Sequence, residues 1–329
     1  MGRGLFATRN IKEGQIIIDE YPFLSLNMGP ETNYVYFKSN IYPTLNEETK
    51  QKILNMSDPV GNSVQGLAQK HVLLEICNNK FICYDDEVGR ILRISALNLI
   101  YFTGTLEISP YSETEGSLYN TISLINHSCD PNALKSWVMG DFSRKQIRAL
   151  KSIDKDEEIL ISYDKGGFRV VLSFGSRKFR QNEIMERFWF LCHCPECSLE
   201  GEALKENERV RQEIRGKIRE IKEIWIKTEE IPKITETTGE MGKQYFQTLL
   251  KRVLKLHQKK MKLIEELDLK MESVSELRNF FVVATLAKKC EISATDPEVL
   301  KMKALEYGKK YGDEELYFVR DYIESFEKL

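Results

Sequence analysis

The sequence predicts an α+β protein: a β-rich N-terminal domain with helical insertions, a short cysteine-rich segment, and an all-helical C-terminal domain. Three observations predict it. Short runs of β-branched and aromatic residues, punctuated by Gly, Asn, Asp and Pro, recur over residues 1–27 and 121–163. The run "CHCPEC" packs three of the seven cysteines into positions 192–197. Beyond it the chain turns to long Lys/Glu-rich stretches with apolar residues at helical spacing.

Taken in order, residues 1–27 read as short strands and turns, with "QIIIDEYPFLSL" the most strand-like part. Residues 31–57 read as partly helical, and 64–102 as a second helical insertion containing "VQGLAQKHVLLEICNN" and the apolar run "ILRISALNLIYF". Residues 103–120 are turn-rich. Strands are expected again at "TISLI", "KSWVM", "KQIRAL" and "EEILISY", and the glycine-hinged stretch 164–178 reads as a loop or hairpin. After Cys197, Val210, Ile214, Ile218, Ile221 and Trp225 mark one helical face, and Leu316, Val319, Ile323 and Phe326 mark another. Pro232 and Gly239 separate the first helix from a second through "GKQYFQTLLKRVLKLHQKKMKLIEEL", and Pro297 opens a further one. The last pair of helices has the look of a single tetratricopeptide-like hairpin without a repeat period.

A chain of 329 residues, 42% apolar and 30% charged, is long enough for two globular units. Its formal net charge of -2 provides no basic field for nucleic acid, so none is expected as a partner. No apolar run reaches a membrane-spanning length. The opening "MGRGLFATRN" lacks the apolar core of a secretory signal, and Phe6 stands where a myristoylation signal needs Ser or Thr. The expectation is a monomer in a reducing compartment, cytoplasmic, nuclear or both.

Cys192, Cys194 and Cys197 form a C-x-C-x-x-C group, which can grip one tetrahedral zinc and leave one corner to fill. Cys129, in the polar turn "NHSCDPN", is the natural fourth ligand. Four thiolates leave no coordination position for water or substrate, so the predicted site is structural. His193, wedged between two ligands, is expected to point outward. Cys77, Cys83 and Cys290 read as core or surface residues. His71 and His257 read as core or surface histidines, and the Lys-rich run around "KLHQKKMK" as a solvated helix face. Tyr119 reads equally well as a core residue or as part of a channel.

Four segments in this order, "GRGLFA" (2–7), "NHSCDPN" (126–132), "EEILISYD" (157–164) and "FLCHCPEC" (190–197), resemble the SET-domain protein lysine methyltransferases. The resemblance is nearest to the SET/MYND (SMYD) branch. It implies a SET domain over 1–182, a zinc-binding post-SET segment over 183–201 and a helical domain over 202–329. It further implies S-adenosylmethionine as methyl donor and a lysine of a protein or peptide, histone or non-histone, as acceptor. Arg3 and Gly4 match the glycine-rich turn that approaches the donor, Asn126 and His127 the pair that holds it, and Tyr163 the tyrosine at the transfer centre. Phe190 matches an aromatic lining donor and lysine channel. Two positions depart from the pattern: Phe188 stands where a tyrosine is common, and Ser95 where an asparagine helps position the donor. Residues 28–60 hold no cysteine or histidine, so the MYND finger of that branch is not expected there. The two departures support a second reading, a binding or regulatory protein on the same scaffold with methyl transfer weak or lost.

Overall fold

The computed structural model describes residues 3–27, 32–58, 71–76, 79–84, 86–98, 100–101, 115–138, 141–163, 172–228 and 240–270, with scattered positions between 272 and 310. The strands are β1 (Leu5–Phe6), β2 (Ile16–Glu20), β3 (Leu24–Asn27), β4 (His71–Ile76), β5 (Asn79–Tyr84), β6 (Ile100–Tyr101), β7 (Glu115–Leu118), β8 (Asn126–His127), β9 (Ala133–Val138), β10 (Asp141–Ala149) and β11 (Glu158–Ile161). The helices are α1 (Tyr34–Tyr36), α2 (Glu47–Leu54), α3 (Glu87–Asn98), α4 (Arg177–Phe188), α5 (Gly201–Thr228) and α6 (Glu240–Glu266).

The strands form small sheets rather than one large one: β1-β11-β8, β2-β10-β9, β3-β7-β6 and the pair β4-β5. The first of these places the future site. β11 pairs antiparallel with β1, Leu5 opposite Ile159, and parallel with β8, Ile161 opposite His127. The N-terminal turn thus becomes a neighbour of two segments that each lie more than a hundred residues further along the chain. Beneath them lies an apolar core of Ala7, Ile11, Ile122, Ile125, Ile147 and Ile159. Tyr119 is fully buried in the same core, which gives it the core role.

The helical expectation for 31–57 holds: α1 runs into a π-turn (Phe37–Ile41), a 3-10 turn (Tyr42–Thr44) and α2. Asn33 and Asn46 cap the two α-helices by accepting from the Tyr36 and Thr49 amides. Of the helical reading of 64–102, Glu87–Asn98 is helix, Ile100–Tyr101 is strand β6, and residues 64–70 lie outside the described residues. Residues 71–76 and 79–84 are paired antiparallel strands instead, registered from His71 opposite Tyr84 to Ile76 opposite Asn79. A six-residue apolar run fits either a strand or a buried helix, and here the β-branched and aromatic residues favour pairing. His71 therefore sits on a strand. "TISLI" is likewise no strand. Ile122–Leu124 is a 3-10 turn, because the Glu20 carboxylate accepts from the Thr121 and Ile122 amides and holds the chain coiled. The turn-rich reading of 103–120 gives way to β7 at its end, and the stretch 164–178 ends in a 3-10 turn (Leu172–Phe174) and the start of α4 at Arg177, with 164–171 outside the described residues. Pro232, Gly239, Pro297, Cys77, Cys290 and the expected face from Leu316 to Phe326 lie outside the described residues.

The C-terminal region is helical. α5 buries Val210, Ile214 and Ile221, and α6 buries Leu250, Val253 and Leu254, so the period-3.6 stripes face each other. Lys255, Lys259 and Lys262 lie on the exposed face of α6, whereas Lys260 of the same run is buried, so the solvated reading holds for only part of it. His257 is buried, paired at 2.7 Å with Glu276, which also takes Lys260 at 2.5 Å. Glu208 accepts from the Arg177 amide, and Lys151–Asp268 and Lys310–Glu13 ion pairs join the helices to the β domain. No helix among the described residues is long and apolar enough to cross a membrane.

Candidate active site and cysteine cluster

The glycine-rich turn, the "NHSC" turn and the end of β11 meet at one place. Asn126 donates its side-chain amide to the Arg3 carbonyl at 2.8 Å and to Glu158 Oε1 at 2.8 Å. Gly4 is packed so closely here that an added Cβ would lie 2.3 Å from Glu158 Oε1 and 2.9 Å from Asn126 Nδ2. Glycine at this position lets the backbone sit against these two side-chain ends, which a larger residue would force to shift. Glu158 is a site residue that sequence reasoning missed. It belongs to a charged pair in "EEILISY" with nothing to distinguish it from Glu157 until the strand register turns it toward Asn126.

Tyr163 follows β11 directly. Its hydroxyl donates to the Ile125 carbonyl at 2.8 Å, and its backbone amide donates to His127 Nδ1 at 3.0 Å. Because Nδ1 accepts, the His127 proton sits on Nε2, which lies 3.4 Å from Cys129 Sγ. Both ring nitrogens are thus engaged inside the protein. Burial lowers this imidazole to about 4, so it is neutral. Burial, and secondarily the Glu158 charge, push the Tyr163 phenol above its ordinary value, which keeps it a neutral hydroxyl.

Aromatic rings close around Tyr163. The Phe188 ring centre lies 4.9 Å away, that of Phe190 6.3 Å away edge-on, and that of His127 5.3 Å away. Their placement depends on Trp189, which ends α4 in the left-handed conformation at φ 60°. Such a turn costs a non-glycine residue about 1–2 kcal/mol. It reverses the chain so that the residues on either side of Trp189 both reach Tyr163, while Trp189 itself packs on the core of Phe37, Ile91 and Leu118.

The four cysteines converge as expected. Cys129, Cys192, Cys194 and Cys197 hold their sulfurs within 4.8 Å of one another, with Cys129 3.9 Å from Cys192 and 3.6 Å from Cys197. A tetrahedral zinc with Zn–S near 2.3 Å sets its sulfurs about 3.8 Å apart, so the donors fit such an ion in number, type and spacing. The Cys197 thiol is held below its ordinary value by its contacts with Cys129 and Cys192, with a further contribution from the nearby Arg180 guanidinium. His193 is exposed and stands apart from the cluster. Tyr163, Phe188 and Phe190 pack on the same small core as the cysteines, with Leu172 and Ile184.

Ser95 is the predicted residue that these contacts do not join. It is fully buried in α3, and its hydroxyl has no hydrogen-bond partner. None of the hydrogen bonds or ring contacts linking Asn126, His127 and Tyr163 involves it.

Comparison with known proteins gives one family match: residues 2–164 match the model described as "SET domain". Over 81 residues, 25% of this chain, there is 37% identity to the histone-lysine N-methyltransferase ASHR1 of Arabidopsis thaliana, covering 15% of that protein. Over 186 residues, 55% of this chain, there is 24% identity to the N-lysine methyltransferase SMYD2 of Gallus gallus, covering 40% of it. Over 100 residues, 30% of this chain, there is 29% identity to the histone-lysine N-methyltransferase set5 of Schizosaccharomyces pombe, covering 29% of it. The matched spans cover less than half the length of each of these relatives.

Proposed function

Residues 2–164 belong to the SET-domain family, and from that premise we propose that this protein transfers a methyl group from S-adenosylmethionine to the side-chain nitrogen of a lysine in a protein substrate. The observation that carries the proposal is the convergence on Tyr163 of the Asn126–His127 turn, the rings of Phe188 and Phe190, and the cysteine cluster. The relatives' names, all lysine methyltransferases, support the same reaction.

Arg3, Gly4, Asn126 and His127 are assigned to hold the donor. The close approach of the Gly4 backbone to Asn126 and Glu158 supports that assignment. Bound there, the donor would supply a sulfonium-linked methyl whose carbon a neutral lysine nitrogen could attack in line with the C–S bond, the neutral thioether leaving as that bond breaks. The residues of this chain contribute mainly position, worth about 7–11 kcal/mol in well-oriented systems. Tyr163 stays a neutral hydroxyl fixed on the Ile125 carbonyl, so it orients the reacting groups and takes no proton. Phe188 and Phe190 line the approach with apolar rings, and desolvation there favours the neutral amine that must attack. Phe188 carries no hydroxyl, so the amine has one polar contact fewer than a tyrosine would offer. Zinc on Cys129, Cys192, Cys194 and Cys197 is structural and fixes the segment that presents Phe190.

The test is transfer of labelled methyl from S-adenosylmethionine to a protein pool, with the product identified as methyl-lysine. The wild type is expected to transfer label, and Tyr163→Phe to lose about 100-fold or more while still binding the donor. Tight donor binding without transfer to any pool would reject the enzyme in favour of a binding or regulatory protein on the SET scaffold.

A further inference from the structure

Two arginines beside the cysteine cluster are fully buried, Arg180 on α4 and Arg211 on α5. Their partners differ. Arg211 has a carboxylate: its Nη2 pairs with Glu196 Oε2, and its Nε donates to Asn207 Oδ1 at 2.7 Å. Asn207 in turn donates to Glu196 Oε2 at 2.8 Å. Among the described residues Arg180 has no carboxylate in its hydrogen bonds or ion pairs. It donates to the carbonyls of Gly175 at 2.8 Å and Glu196 at 3.0 Å, and its remaining contact is Cys197 Sγ at 3.7 Å. Its Nε is buried without a partner.

A buried guanidinium whose hydrogen-bonded acceptors are neutral carbonyls is costly unless an anion stands near it. Four thiolates on one divalent cation leave two negative charges in excess, and those need a cation as much as Arg180 needs an anion. Glu196 connects the two arginines: its backbone carbonyl accepts from Arg180, and its carboxylate accepts from Arg211 and Asn207 of α5. Glu196 also lies between Cys194 and Cys197, so the loop that holds the metal is the loop that holds α5.

Resting on the zinc reading above, we infer that Arg180 is the counter-cation of a zinc–tetrathiolate centre, and that through Glu196 the metal latches the helical region onto the SET domain. Zinc binding and docking of α5 are then linked: each strengthens the other, and loss of the ion frees the N-terminal part of α5.

Two measurements on the full-length chain test this. The first is zinc affinity by competition with a chromogenic chelator. Arg180→Met is expected to weaken zinc about 10–100-fold, the range found when groups that support metal ligands are removed. Arg180→Lys, which keeps the charge, is expected to recover part of that loss. The second needs no variant: amide hydrogen exchange of the wild type with zinc bound and after chelation. Chelation is expected to raise exchange in α4 and the first half of α5, around Asn207 and Arg211, and to leave β9 and β10 unchanged. If the wild type binds no zinc, the zinc reading itself fails. If it binds zinc but Arg180→Met binds equally well, or chelation leaves α5 as protected as before, the counter-cation and latch are wrong while the zinc site stands. Should Arg180→Met fail to fold, the exchange experiment decides alone.

Discussion

The cysteine node and the helical hairpin are both buried cores, built on opposite principles. Around the node few apolar side chains are buried, Leu172 and Ile184 among them, and four sulfurs occupy its centre. Between α5 and α6 the burial is broad and apolar, with Ile221, Ile224, Leu249, Leu250, Val253 and Leu254 in one continuous contact. The hairpin distributes its stability over many interchangeable contacts, each worth about 1.5–3 kcal/mol. The node concentrates it in a few heteroatoms that cannot replace one another. The residues assigned to chemistry, Tyr163, Phe188 and Phe190, pack on the concentrated core.

That contrast ranks the expected effects. The largest is Cys129→Ser. Zinc binding in small structural sites is worth about 10–16 kcal/mol, so losing one of four ligands should abolish stoichiometric zinc and loosen residues 172–197; metal analysis and hydrogen exchange check both. In the hairpin, Leu250→Ala should cost about 2–5 kcal/mol in denaturant unfolding while zinc content stays the same. Equal loss of zinc in that variant would mean the two cores are one. Smaller again is Glu158→Gln. It removes the charged acceptor of Asn126, and calorimetry should show donor affinity falling by about tenfold, in line with the 1.5–3 kcal/mol of a hydrogen bond to a charged group, with zinc unaffected.

The smallest effect belongs to neither core. Asp19 pairs with Arg144 at 2.5 Å on the partly exposed face of β2 and β10, and that hydrogen bond holds its carboxyl below the usual value. A carboxyl depressed in the folded state stabilises it above the unfolded pKa, near 3.9, and loses that contribution as pH falls through the lower folded value. Asp19→Asn should therefore cost less than about 1 kcal/mol at neutral pH, and nothing once the acid range is passed. Chemical unfolding at pH 7 and in strong acid reads the difference.

What could be read in the sequence follows from the same contrast. Cys129, Cys192, Cys194 and Cys197 were legible because heteroatom type and spacing are themselves the signal. The stripes of α5 and α6 were legible because a long apolar period has one reading. The strand pair 71–76 and 79–84 was not, since each strand is six residues long and a run of that length fits either element. Helix α4 was missed because Arg180 and Ile184 are what it buries, and an arginine does not count toward an apolar face. Glu158 and Arg180 became visible only when strand register and burial gave them partners, Asn126 and Cys197. His127 shows a further limit. The motif assigns it to the donor without showing that its ring nitrogens also engage the Tyr163 amide and Cys129 within the protein, which leaves its backbone to face the donor.

The most direct test follows bound zinc and methyl-lysine formation together while a chelator is titrated into the donor-saturated wild type. If the cysteine node sets the geometry around Tyr163, transfer should fall in proportion to the zinc removed and return when zinc is restored. Transfer that continues undiminished in metal-free protein would contradict the account.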